Sequence, residues 1–121
     1  VRSTGKALST AEFYAVMTKW EQYKSSMLSF FEPYDVILCP ANAEPAMSHG
    51  TTWEANKFLA FTYTLSYNLT GWPGVIVRAA TSPEGLPIGV QIVGRPWHEH
   101  VALAAARHIE STLGGWQPAP I

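Results

Sequence analysis

The chain has 121 residues, which is enough for one compact domain but not for two. Its formal net charge of -1 excludes the basic surface expected of a protein that binds nucleic acid or an anionic membrane. Only 14% of the residues are charged and 47% are hydrophobic, whereas a small free-standing domain normally exposes many charged side chains. We therefore expect much of the surface to be covered, either by self-association or by a larger body.

The start of the chain carries no secretion signal, since Arg2 and Lys6 are not followed by an apolar run. No apolar run approaches the roughly 20 residues that a membrane span requires. A single cysteine, Cys39, excludes an internal disulfide. We expect a cytoplasmic protein, and because the first residue is Val1 rather than Met we interpret the chain as a fragment.

The first predicted element is an amphipathic helix over residues 9–32. It opens on Ser9 and Glu12, which fit a capping box, and it ends before Pro33 because proline disfavours helix in the preceding residue. Apolar residues recur behind the cap at intervals of three and four: Phe13, Val16, Met17, Trp20, Tyr23, Met27 and Phe31.

A buried strand is predicted over residues 35–39, followed by a loop to Gly50. Thr51 and Glu54 offer a second capping box, so we predict one helix over residues 52–67. This helix carries few charges, and we expect it to be buried on most sides.

The second half predicts a strand hairpin over residues 75–94, turning at Ser82–Gly85, where proline and glycine take the favoured positions of a type I turn. A helix over residues 97–113 follows and ends at Gly114. Its expected core stripe consists of Ala102, Ala105, Ala106, Ile109 and Leu113. The middle strand-helix-strand unit should join parallel neighbours by a right-handed crossover. The prediction is an α/β fold, a mixed β-sheet with helices packed on it.

No catalytic constellation emerges from the residues themselves. Cys39 ends an apolar strand, so we interpret it as a core residue rather than as a nucleophile paired with a histidine. His98 and His100 stand two residues apart and do not share a helix face, so we predict no metal site. Asn68 begins a glycosylation sequon, but we expect it to cap the preceding helix or to hold the turn. No cofactor-binding motif is present.

Three segments resemble the C-terminal part of amidase-signature enzymes, and they occur in the family's order. Tyr34–Pro40 is similar to the family's aspartate, apolar strand and proline element. Tyr67–Gly74 resembles its asparagine, threonine, glycine and proline turn, and Gly85–Gly94 resembles its closing strand. The resemblance covers essentially the whole chain.

The resemblance implies hydrolysis of carboxylic amide C–N bonds through an acyl-enzyme, with a serine nucleophile, a bridging serine on a cis peptide and a lysine base. None of these can be assigned here, because no Gly/Ser-rich run is present and no lysine has the family's context; the lysines are Lys6, Lys19, Lys24 and Lys57. We therefore expect a C-terminal fragment that is inactive alone, whose partner is the missing N-terminal part of the amidase.

The resemblance also implies that this segment contributes part of the wall around the substrate's acyl group. The candidate wall residues are Phe58, Phe61, Thr62 and Leu65; the alternative is that they are ordinary buried helix residues. Two other functions stay open. One is a stand-alone binding or assembly module of the same fold, and the other is part of a glutamine-dependent amidotransferase A-type subunit.

Overall fold

A computed structural model describes Gly5 and residues 7–118. The elements in chain order are α1 (Thr10–Phe31), β1 (Val36–Pro40), α2 (Ala55–Leu59), α3 (Thr62–Thr70), β2 (Gly74–Thr81), β3 (Pro87–Gly94) and α4 (Glu99–Thr112). The chain divides into two compact units, residues 1–33 and residues 34–121. The expectations drawn from Val1, Arg2 and Lys6 lie outside the described residues. Across the described part, no helix is both long and apolar enough to cross a membrane.

The first unit contains α1, whose start is fixed by a complete capping box. The Ser9 hydroxyl accepts a hydrogen bond from the Glu12 backbone N–H at 3.3 Å. In return, the Ser9 backbone N–H and hydroxyl each donate to the Glu12 carboxylate at 2.7 Å. The helix ends at Phe31, two residues before Pro33, so its expected start and end agree with the structure to within one residue.

The second unit is built on a three-stranded antiparallel sheet with the order β1-β3-β2. The register places Leu38 of β1 opposite Ile92 of β3, and Val75 of β2 opposite the same Ile92. The α/β fold class is confirmed. The expected arrangement of β1 and β2 as parallel neighbours is wrong, because β3 lies between them and pairs antiparallel with both.

The central place of β3 follows from its side chains. Gln91, Ile92, Val93 and Gly94 are buried in succession, so β3 is covered on both faces. In contrast, β1 ends at Pro40, which cannot donate a ladder hydrogen bond and is therefore suited to an edge strand. Although β3 comes last in the sequence, it lies between β1 and β2, so the connection from β1 to β2 does not join neighbouring strands.

The hairpin that joins β2 to β3 turns as its sequence predicts. The Gly85 amide donates to the Ser82 carbonyl at 2.9 Å, and the Ser82 amide donates to the Leu86 carbonyl at 2.8 Å. Gly85 has a φ of 87°, a conformation that glycine adopts without a steric penalty. The antiparallel pairing of β2 with β3 confirms the predicted hairpin.

The core of the second unit forms where α4 packs on the sheet. Ile92 of β3 and Ala102 and Ala106 of α4 are buried together, and Ala105 and Ile109 pack against them. The expected alanine stripe therefore faces the core, except that Leu113 lies past the end of α4 and is exposed. A Cβ on Gly94 would lie 3.3 Å from Ala102 Cβ and 3.1 Å from the His98 carbonyl oxygen, so helix and strand approach closely at this point.

The predicted helix over residues 52–67 is wrong in two respects. The second capping box does not form, because the Thr51 hydroxyl donates to the Ser48 carbonyl and α2 begins only at Ala55. The helix is then interrupted between Leu59 and Thr62, where the Thr62 hydroxyl donates to the Leu59 carbonyl at 2.8 Å. The backbone hydrogen bonds at this break span three residues, from the Phe61 amide to the Phe58 carbonyl and from the Thr64 amide to the Phe61 carbonyl, in place of the four-residue bonds of a regular α-helix.

The end of α3 also differs from the prediction, since α3 continues to Thr70 and includes Asn68 within the helix. Gly71 provides the C-terminal cap, with a φ of 72° and its amide donating to the Tyr67 carbonyl at 2.8 Å. The proposed capping role of Asn68 is therefore wrong. Several large apolar side chains of α2 and α3 are exposed, which contradicts the expectation that this segment is buried on most sides.

A first prediction concerns the α1 cap. Hydrogen bonds from the Ser9 backbone and then from its hydroxyl lower the pKa of the Glu12 carboxyl below its ordinary 4.5. Ser9→Ala removes the hydroxyl, so it should raise the Glu12 pKa part of the way back and destabilise α1 by about 1 kcal/mol. A side-chain NMR titration measures the pKa, and circular dichroism measures the helix.

The same pKa shift fixes the direction of the pH dependence. A lowered folded-state pKa stabilises the folded form above pH 4.5, and this contribution is lost as the pH falls through the folded value. The difference between the natural chain and Ser9→Ala should therefore shrink on acidification. Thr18→Ala is the matched control, since it removes a hydroxyl bonded to the Tyr14 carbonyl inside the same helix. An unchanged Glu12 pKa in Ser9→Ala would contradict this role of the cap.

A second prediction concerns the close contact of α4 with β3. Gly94→Ala should lower the free energy of unfolding by roughly 1–3 kcal/mol, because the new methyl group meets backbone and an alanine that have no room to move. Gly74→Ala is the control in the same sheet, since its added Cβ would lie 4.0 Å from the nearest atoms. Urea unfolding of both variants measures the difference, and equal stabilities would refute the close approach.

Candidate functional site

The candidate wall residues lie on the segment that contains α2 and α3. Phe58 belongs to α2, Phe61 lies in the break between the helices, and Thr62 and Leu65 are three residues apart on α3 and share a face. The Phe58 and Leu65 side chains are each 47% exposed. Within the described residues, this segment therefore presents an open apolar surface.

Two aromatic rings and one hydroxyl define the chemistry of this surface. Phe58 stacks on Trp53 with ring centroids 6.2 Å apart and an angle of 15° between the rings. The Thr62 hydroxyl is committed to the Leu59 carbonyl, so the surface offers little free hydrogen-bonding capacity at that point. Such a surface suits contact with hydrocarbon groups.

The loop that follows β1 ties this surface to the sheet. The Ala41 amide donates to the Gly89 carbonyl of β3, and the Ala43 amide donates to the Ala60 carbonyl at 3.2 Å. The Lys57 ammonium of α2 forms an ion pair with the Glu44 carboxylate. The break between α2 and α3 is thus held against the loop by a backbone hydrogen bond and by a charge pair.

A cavity of about 270 Å³ lies beside the same loop, lined by residues 41–46 and 87–89. The Asn42 side-chain oxygen is buried here and accepts no hydrogen bond from the described part of the chain. A larger cavity of about 840 Å³ lies between the hairpin turn and residues 116–118. Neither cavity is lined by any of the four candidate wall residues.

A buried polar bridge connects the sheet with α3. Gln91 of β3 is only 5% exposed, and its amide nitrogen lies 3.4 Å from the Tyr63 carbonyl oxygen and 3.6 Å from Cys39 Sγ. Cys39 Sγ in turn lies 3.9 Å from the Tyr67 hydroxyl. The partners of Cys39 are a glutamine and a tyrosine, which fits its interpretation as a packed residue. The sequence carried no signal for Gln91, because a polar residue within an apolar strand does not reveal which face it takes.

The histidines form no metal centre in the described part of the chain, which contains no group of three candidate ligands. His98 and His100 meet edge to face, with ring centroids 5.7 Å apart. His49 is exposed in the loop before Gly50. Two lysines are engaged as cations: Lys24 pairs with Glu21 at 2.7 Å, and Lys57 pairs with Glu44.

Curated relatives of this chain include A subunits of glutamyl-tRNA(Gln) amidotransferase from several bacteria. The A subunit of glutamyl-tRNA(Gln) amidotransferase from Xanthobacter autotrophicus is 35% identical over 88 residues, which are 70% of this chain and 18% of the relative. The protein of the same name from Dinoroseobacter shibae is 39% identical over 83 residues, 66% of this chain and 17% of the relative. The chain thus spans less than a fifth of the length of these relatives.

Solved structures with the same fold extend this result. The A subunit of glutamyl-tRNA(Gln) amidotransferase from Thermotoga maritima matches with a TM-score of 0.79 at 28% identity, over 91% of this chain and 25% of that structure. An amidase matches with a TM-score of 0.77 at 25% identity, over 88% of this chain and 26% of that structure. The Amidase family profile matches residues 3–103. This match covers most of the chain and shows that the chain belongs to the Amidase family.

Proposed function

We propose that this chain is the C-terminal scaffold of an amidase whose complete domain hydrolyses a carboxylic amide C–N bond, and that it has no amidase activity alone. The family match over residues 3–103 carries the proposal. A serine nucleophile needs an adjacent base, and the oxyanion formed on acyl transfer needs preorganised donors. We assign the Ser, bridging Ser and Lys triad of the family to a preceding part of the amidase, acting in the cytoplasm without a cofactor.

The engagement of the lysines supports this assignment. A lysine that acts as a base must lie within hydrogen-bond reach of the group whose proton it accepts. Lys24 Nζ lies 2.7 Å from the Glu21 carboxylate and 4.7 Å from the centre of the Trp20 ring. Lys57 pairs with Glu44. Both lysines serve structural contacts.

Within the complete domain, we assign the surface of α2 and α3 to the wall around the substrate's acyl group. Phe58, Phe61 and Leu65 supply apolar contact, and Thr62 supplies the methyl group that its bonded hydroxyl leaves available. Exposure of about half of the Phe58 and Leu65 side chains supports this role, because a wall residue must leave one side open to its ligand.

An amidotransferase A-type subunit is the second candidate, and curated relatives favour it because they carry that name. In this version the complete protein would release ammonia from glutamine and pass it to a synthetase partner. Glutamine as the preferred amide, together with activity that depends on a second protein, distinguishes this candidate from a free-standing amidase.

The test compares the 121-residue chain with the protein extended by the coding sequence upstream of Val1. We expect the extended protein to release ammonia from small amides, and to lose that activity when the serine of its Gly/Ser-rich loop is replaced by alanine. The 121-residue chain should release none. Amide hydrolysis by the short chain, abolished by Cys39→Ala, would overturn the proposal. A start codon and promoter directly before Val1 would instead favour the stand-alone binding module.

A further prediction concerns the support of the proposed wall by Gln91. Gln91→Leu removes the donor to the Tyr63 carbonyl and to Cys39 Sγ, so the first turn of α3 should open more readily, by about 1–3 kcal/mol. Hydrogen exchange of the α3 amides measures this opening. Gln117→Leu is the control, because Gln117 is exposed outside the helices and strands. Equal α3 exchange in both variants would show that Gln91 does not support the wall.

A further inference from the structure

Trp97 has a backbone conformation that tryptophan rarely adopts. Its φ is 66°, and it is the one non-glycine residue with a positive φ in the described part of the chain. This region is disfavoured for a bulky side chain because Cβ crowds the following carbonyl oxygen. The other positive φ values there belong to glycines, such as Gly71 and Gly85.

The turn that contains Trp97 is fixed on both sides. Before it, the Arg95 guanidinium donates two hydrogen bonds to the Tyr34 carbonyl, from Nε at 3.2 Å and from Nη2 at 2.8 Å. After it, the His98 amide donates to the Arg95 carbonyl, and the His98 carbonyl accepts the first hydrogen bond of α4 from Val101. The surroundings therefore hold the strained residue in one orientation.

Burial of the indole within this chain does not offset that strain, because the side chain is largely exposed. Trp97 is 87% exposed, whereas Trp72, which stacks on Tyr67, is buried. A large exposed aromatic side chain on a fixed backbone is typical of an interface anchor, because a partner that buries it gains a large apolar area and has to order only the two side-chain torsions. Strained residues persist only where the surrounding structure holds them, and they cluster at functional sites.

We propose that Trp97 is an anchor residue that inserts into an apolar pocket on the remaining part of the amidase domain. This rests on the proposed function, which places this chain within a longer protein. We infer the partner of Trp97 from the part of the solved relatives that this chain does not match. About three quarters of each solved relative lies outside the matched part, whereas Trp97 lies within the matched residues 3–103. Tryptophan also brings one N–H donor, so the pocket should offer one acceptor beside its apolar lining.

The test uses Trp97→Gly, which should raise the Tm of the 121-residue chain but lower the Tm of the extended protein. In the 121-residue chain, the substitution relieves the strained φ and should raise the Tm by about 3 °C. In the protein extended upstream of Val1, it removes the anchor and should lower the Tm by about 5 °C or more. Trp97→Asn is the second variant, because asparagine tolerates this φ without supplying an indole; it should lower the Tm of the extended protein in the same way.

Trp116→Gly is the matched control, since Trp116 is 77% exposed and its φ is not positive. It should leave the Tm of both proteins unchanged. A rise in the Tm of the extended protein with Trp97→Gly would overturn the proposal. So would a concentration-dependent dimer of the 121-residue chain that Trp97→Gly abolishes, because a second copy would then be the partner.

The same proteins separate this proposal from the proposed function. An extended protein that hydrolyses no amide, but loses stability with Trp97→Gly, would refute the activity and keep the interface. An extended protein that hydrolyses amides, but gains stability with Trp97→Gly, would refute the interface and keep the activity.

Discussion

The packing of α4 on the central strand β3 is the contact on which the second unit depends. Ala102 and Ala106 bring the helix backbone close to the sheet, and Gly94 leaves the space that this approach needs. Because β3 pairs with both β1 and β2, one apolar contact at Ile92 stabilises all three strands at once. Apolar burial is smaller at the α2 and α3 segment, where Ala60 is buried and Tyr67 stacks on the buried Trp72 but most of the large apolar side chains are exposed.

Because apolar burial is concentrated at α4 and β3, the candidate site on α2 and α3 is supported by other contacts. The surface of α2 and α3 is joined to the sheet by the Gln91 bridge to Tyr63 and to the loop after β1 by the Ala43–Ala60 backbone hydrogen bond and the Glu44–Lys57 pair. Hydrogen bonds and exposed ion pairs contribute less to stability than the burial of apolar area. We therefore expect α2 and α3 to open more readily than the sheet in this chain, which spans about a quarter of its solved relatives.

Local signals in the sequence predicted the elements that local interactions control. The capping box at Ser9 formed because both of its partners lie within one turn, and the hairpin at Gly85 formed because glycine suits its left-handed conformation. Strand order could not be obtained in this way, because it depends on which strand is covered on both faces. The helix break before Thr62 consists of backbone hydrogen bonds that span three residues, and the turn at Trp97 follows an Arg95 contact to the Tyr34 carbonyl, 61 positions away; neither feature has a local signal in the sequence. The wall role of Phe58 and its neighbours stays a prediction.

Native-state hydrogen exchange of the 121-residue chain, measured amide by amide, tests the central place of β3 most directly. We expect the amides of Ile92 and Val93 to exchange only through global unfolding, and those of α2 and α3 to exchange through local opening at a much lower free energy. Slow exchange of α2 and α3 at the same free energy as β3 would contradict this expectation. It would show that contacts within this chain are sufficient to stabilise the candidate wall.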